Sequence, residues 1–155
     1  QERKRYYDET REYYMMESDV RDDNWLVSLP REKTAIIVME GVSMYLSLEE
    51  LKNILSNIQN HFKHVKILMD CYTVFAAKAS KYKNPINDVG VTMVHGIDNP
   101  TLLEDNTGIS FVEEHEMTPD IFIDELNGME KYIFKKVYGG SVSKKMYRLY
   151  EYQSV

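Results

Sequence analysis

The sequence predicts an α/β fold on a mixed, mostly parallel sheet, and three observations predict it. Ala35 to Met39 is a continuously apolar run rich in β-branched residues, the pattern of a strand buried on both faces, and Val65 to Met69 reads as a second buried-strand run ending at Asp70. Between them lies one capped amphipathic helix, so the pair reads as a strand-helix-strand unit with a right-handed crossover. Near the end of the chain Met146, Arg148, Tyr150 and Tyr152 alternate with Tyr147, Leu149 and Glu151, the period of a strand with one less buried face.

Taken in order, Gln1 to about Thr10 reads as a charged helix that begins without a capping residue or an initiator Met, a start that looks cut. Tyr13 to Glu17 is a short strand candidate running into the polar cluster Ser18 to Asp23, which suits a turn and a helix start. The strand from Ala35 ends at Glu40-Gly41. Ser47-Leu-Glu-Glu50 is a capping box, with Leu46 and Leu51 placed as a hydrophobic staple. The helix it opens runs to about Asn60 and carries Leu48, Leu51, Ile54, Leu55 and Ile58 on one stripe.

After the strand ending at Asp70, a helix is expected from Val74 to Tyr82, broken by Asn84-Pro85 and Asn87-Asp88, which open a long loop. Asp98-Asn99-Pro100 starts a helix of one or two turns anchored by Leu102 and Leu103. Ile109 to Val112 reads as a strand, Thr118-Pro119 opens a helix to about Leu126, and more helix follows from Gly128 to Tyr138, where Gly139-Gly140 stops it. There is no internal repeat and no low-complexity tract.

A chain of 155 residues, 43% hydrophobic, is sized for one domain around one core. Its formal charge of -6 argues against a surface built to hold nucleic acid, which concentrates Lys and Arg. Cys71 stands alone, so an internal disulfide and a thiolate zinc cluster are both excluded, and a reducing, cytoplasmic setting is the expectation. No apolar run reaches the roughly 20 residues of a membrane span, so no membrane partner is expected.

Chemistry-bearing positions divide into few. Glu40 directly follows five apolar residues at a strand end and has no local structural duty, which points to function. Asp19 suits a helix-initiating turn as well as a ligand contact, and Gly41 suits a turn. Gly41-Val-Ser43-Met-Tyr45 lacks the last glycine of a hydrolase nucleophile elbow, so a serine hydrolase is rejected. Cys71 reads as a small buried hydrophobe. His61 and His64 read as surface charge without a third ligand, and His115, flanked by Glu113, Glu114 and Glu116, as a solvated acidic strand end. No metal site is expected. Lys131, Lys135 and Lys136 read as a solvated helix face.

Three blocks together, "RKRYYDETREYYMMESDVRDDNWL", "AIIVMEGVSMYLSLEEL" and "MVHGIDNPTLLED", resemble successive segments of the leucine carboxyl methyltransferase family, including its polyketide-tailoring members. The likeness covers nearly the whole chain. It implies a Rossmann-like class I methyltransferase fold with one late antiparallel strand, S-adenosylmethionine as cofactor, and methyl transfer to a carboxylate or acidic hydroxyl of a small-molecule acceptor. It further implies that Asp19 and Val20 lie beside the adenine, that Glu40 and Gly41 lie near the cofactor, and that Tyr45 faces the acceptor. No catalytic residue is assigned.

The chain departs from the family in one respect. The glycine-rich turn after the family's first strand and the acidic residue after its second have no counterpart here, because none of the seven glycines makes a Gly-x-Gly turn after a strand. The expectation is therefore one partial domain over residues 1–155, the carboxy-terminal portion of the fold with its first two strands absent. Such a fragment is expected to bind cofactor poorly and to associate as a homo-oligomer. The alternative is a non-catalytic protein-interaction domain derived from a methyltransferase.

Overall fold

A computed structural model describes residues 5–31, 33–80, 93–137 and 145–155. In chain order the elements are helix α1 (Asn24–Val27), strand β1 (Thr34–Met39), a 3-10 turn (Ser43–Tyr45), α2 (Leu48–His61), β2 (His64–Tyr72) and α3 (Val74–Ala79). A 3-10 turn (Pro100–Leu103), β3 (Ile109–His115), α4 (Asp120–Glu125), α5 (Gly128–Val137) and β4 (Tyr147–Ser154) complete it. The four strands form one sheet in the order β1-β2-β4-β3. β1 and β2 run parallel, while β4 lies antiparallel between β2 and β3. The sheet is thus mixed, as expected, but among the described residues only its β1–β2 pairing is parallel; inserting β4 beside β2 turns the balance to antiparallel.

The crossover helix follows from its sequence. Ser47 Oγ accepts from the Glu50 amide at 3.2 Å, and the Glu50 carboxylate accepts in return from the Ser47 amide at 2.8 Å, so two donors of the first turn are satisfied reciprocally. Leu46 and Leu51, the expected staple, are both buried in the main core. Leu51, Ile54, Leu55 and Ile58 join Val65, Ile67, Met69 and Cys71 of β2 in that same core. Tyr150 and Tyr152 of β4 complete it as fully buried rings, and their hydroxyls reach the carbonyls of Ile97 at 3.3 Å and Pro100 at 3.1 Å. Burial pushes the Tyr150 phenol up to about 12, so it stays a neutral donor.

The segment that carries those carbonyls needs a glycine. A Cβ on Gly96 would lie 2.3 Å from the Thr73 carbonyl oxygen, and Ile97 N–H donates to the Tyr72 carbonyl at 2.8 Å beside it.

Several expectations change. The described part of the Gln1–Thr10 segment holds a 3-10 residue at Arg5 and no α-helix, and Tyr13 to Glu17 is not a strand. Thr10 closes a local turn instead, its Oγ1 accepting from the amides of Glu12 and Tyr13, and among the described residues this stretch has no strand beside it to complete a ladder. β1 is a strand but is not buried on both faces: α2 covers one side, leaving Ile36 79% and Val38 65% exposed on the other. Leu103 alone anchors the 3-10 turn, because Leu102 is exposed. His61 is buried, not surface charge, with Nε2 3.1 Å from the Leu29 carbonyl. The loop breakers Asn84 to Asp88 and the Gly139-Gly140 stop lie outside the described residues. Among the described residues no helix is long and apolar enough to cross a membrane.

Removal of the cap should be measurable without loss of the fold. Ser47→Ala is expected to lower stability by about 1 kcal/mol, whereas Leu55→Ala, which opens a cavity in the core, should cost about 2–5 kcal/mol. Urea melts read both; an unmoved midpoint for Ser47→Ala would show that the box contributes nothing.

Candidate functional site

Parallel pairing brings the carboxyl ends of β1 and β2 to the same end of the sheet, and the register that ends Met39 on Met69 places Glu40 next to Asp70. Gly41 then turns the chain with φ +68, a left-handed conformation that costs glycine little. That turn aims its amide at Asp70, whose Oδ1 and Oδ2 accept at 2.9 and 3.1 Å. Ser43, buried, donates to the Asp70 backbone carbonyl. The loop leaving β1 is therefore fastened at two points to the end of β2.

The two acids differ sharply in setting. Asp70 is buried, and desolvation pushes its carboxyl up, opposed by the Gly41 amide and assisted by the negative charge of Glu40. Glu40 is exposed, and its carboxylate has no hydrogen bond or ion pair among the described residues. A side chain added at Gly41 would meet nothing within 4 Å, so the space over this strand end is open. Tyr45, 41% exposed, ends the same loop, and beyond it Tyr147 donates to the Tyr72 hydroxyl at 3.3 Å.

Asp19 is arranged differently. Its carboxylate grips Arg21 through Nε and a terminal nitrogen at 2.6–3.1 Å, and this partner holds the acid down to about 2. Arg21 also lies 3.8 Å from Glu50, which ties the turn to the capped start of α2. Val20 is half-buried against the core, its carbonyl accepting from the Trp25 indole at 3.3 Å. The structure thus joins Glu40, Gly41 and the loop bearing Tyr45 through Asp70. It joins Asp19 to Arg21 and Glu50, and among the described residues no bond links Asp19 to Glu40.

Asp70 is the residue that sequence reasoning missed. Its signal was the same as that of Glu40, an acid immediately after a buried apolar run. The thiol of Cys71 is pushed by burial up to about 12, which leaves it without a thiolate to attack. Elsewhere, β3 and β4 bring Glu113, His115 and Glu151 together, with ligand atoms within 4.8 Å of one another. There His115 Nε2 stands 2.6 Å from Glu151, and Lys66 lies 3.7 Å from the other oxygen of that carboxylate. An apolar cleft of about 410 Å³ adjoins this trio on the sheet face away from α2, lined by Ile36, Leu68 and Leu149 but by none of Asp19, Val20, Glu40, Gly41 or Tyr45.

The Asp70 setting has a pH signature. A carboxyl whose folded pKa lies above its unfolded value of about 3.9 contributes stability below that value and loses it as the pH rises through the folded pKa. Asn at this position keeps an acceptor for Gly41 without the buried charge. Relative to Asp70→Asn, the wild type is therefore expected to lose stability as the pH rises from 4 towards 7. Urea melts across that range check it, and a pH-independent difference would refute it.

Comparison with known proteins gives the site its context. No protein-family model matches the chain. The tetracenomycin polyketide synthesis O-methyltransferase of Streptomyces glaucescens is 28% identical over 132 residues, 84% of this chain and 49% of that protein. An S-adenosyl-L-methionine-dependent methyltransferase of Gibberella zeae is 27% identical over 101 residues, 60% of this chain and 34% of that protein. The chain therefore spans about half the length of the first relative and a third of the second. Over most of its length, the chain is similar in sequence to methyltransferases, one of polyketide synthesis and one dependent on S-adenosyl-L-methionine.

Proposed function

We propose that this chain is the carboxy-terminal portion of a Rossmann-like, S-adenosylmethionine-dependent O-methyltransferase domain, one partial domain over residues 1–155. The observation that carries the reading is the Glu40–Gly41–Asp70 arrangement at the carboxyl ends of two parallel strands, in a chain similar to methyltransferases. Ligands of open α/β sheets bind in the crevice beyond such strand ends. The mixed sheet with its antiparallel β4 is compatible with that fold.

The residues present fit part of the cofactor. Glu40 offers an exposed carboxylate able to accept from an exocyclic amine, and the open space over Gly41 lets a planar group approach the backbone. Asp70 acts as a positioning residue: it spends its charge on the Gly41 amide and holds the loop, leaving Glu40 as the acid free for a ligand. In this reading Asp19 and Val20 border the adenine, and Tyr45 borders the acceptor. The glycine-rich cradle for the methionine end is not found in this chain. Bound cofactor supplies a sulfonium methyl group. The protein's part is alignment and exclusion of water, and an acceptor carboxylate, already ionised, needs no strong base. This fits a site with no acid–base pair, and the acceptor class we favour is a carboxylate or acidic hydroxyl.

Calorimetric titration tests the assignment. This chain alone is expected to bind S-adenosylmethionine weakly. In a longer polypeptide that joins residues 1–155 to a glycine-rich first half, Glu40→Ala and Asp19→Ala should each weaken binding about tenfold or more, the loss of a hydrogen bond to a charged group. Unchanged affinity in both variants would remove the site.

A further inference from the structure

We propose that Glu113, His115 and Glu151 form a site for one divalent cation of the zinc type, held across the pairing of β3 with β4. Their ligand atoms all lie within 4.8 Å of one another. A zinc ion holds imidazole nitrogen and carboxylate oxygen at about 2.0–2.2 Å, so the donors around it stand no more than about 4 Å apart. Glu113 is exposed, and a rotation of its side chain closes the difference. One imidazole with two carboxylates lies between the thiolate sets that select soft ions and the all-oxygen sets that select magnesium or calcium. Every donor belongs to β3 or β4, the last two strands in the sheet order, so nothing beyond β1 enters the site.

A break in the strand register brings the trio together. Phe111 pairs with Tyr152 and packs edge-on against the rings of Tyr150 and Tyr152 in the core. In an unbroken strand Glu113, two residues on, would share that core face. The shift between Phe111 and Glu113 instead sets Glu113 opposite Glu151, and His115 follows it to the same face. Two carboxylates directly opposite on paired strands repel each other. His115, with Nε2 2.6 Å from Glu151, offsets one of them when protonated, and Lys66 at 3.7 Å approaches that same carboxylate. Glu113 has no hydrogen bond or ion pair among the described residues. A dication between the three answers both carboxylates at once. It takes the place of the proton between His115 and Glu151, which passes to solvent, and three protein donors leave a further position for water. In the sequence only His115 and its neighbouring acids are visible, because Glu151 lies 36 residues away.

The inference does not require the methyltransferase reading, and its readout is independent of S-adenosylmethionine. The purified chain, stripped with a chelator and dialysed, is titrated with Zn²⁺ by calorimetry and with Co²⁺ by visible absorption. One ion per chain is expected. Glu113→Gln, His115→Ala and Glu151→Gln should each raise the Zn²⁺ dissociation constant about tenfold or more with the circular dichroism unchanged. Glu113 is exposed, so its variant keeps the test clear of folding effects. His64→Ala, at the exposed first residue of β2, should leave the constant unmoved. Nuclear magnetic resonance of the unmutated chain gives a second measurement: Zn²⁺ should shift the imidazole signals of His115 and leave those of His64 in place. Failure to take up either ion would overturn the proposal. So would uptake that survives in all three variants of the trio or is lost in His64→Ala, which would mark an adventitious ion only.

Discussion

The seating of α2 on one face of β1 and β2 governs the rest of this structure. A helix with a single apolar stripe can cover one face of a sheet, and Leu51, Ile54, Leu55 and Ile58 spend that stripe on the side occupied by Val65, Ile67 and Met69. Because α2 is the connection between two parallel strands, it carries the chain back to the end from which β1 began. Both strands then finish at the same end, where Glu40 and Asp70 meet. The same geometry leaves the opposite face to whatever else the chain provides, and over β1 that is water. Site and bare face are two results of one packing choice.

At the strand ends, adjacency of two acids would be costly if both were buried and unpaired. The structure separates them by environment. Asp70 goes into the interior and takes the Gly41 amide, which satisfies it locally; Glu40 stays in water, where a carboxylate needs no partner. Left-handed backbone at Gly41 is what makes the division possible, since it turns the amide towards Asp70 while carrying the chain into the Ser43–Tyr45 turn. A side chain at Gly41 would meet free space but would have to adopt a strained φ.

Local signals were legible in the sequence and non-local ones were not. The Ser47–Glu50 box and the stripe of α2 are read within one helix, and Thr34–Met39 and His64–Tyr72 stand within a residue or a few of the expected strands because apolar β-branched runs mark them directly. Burial of β1 was misread for a specific reason: a continuous apolar run says that a strand can be covered on both faces, not that a second cover exists. Tyr13 to Glu17 has strand-like composition, yet a strand needs a neighbour, and the Thr10 hydroxyl and the Glu9 carboxylate accept locally from the amides of Tyr13 and Met15. The Asp70–Gly41 bond spans 29 residues and depends on the β1–β2 register, so only the separate acids could be seen beforehand. His61 shows the same limit. Its place beside exposed lysines in the sequence suggested solvent, and the carbonyl of Leu29, 32 residues away, holds it inside.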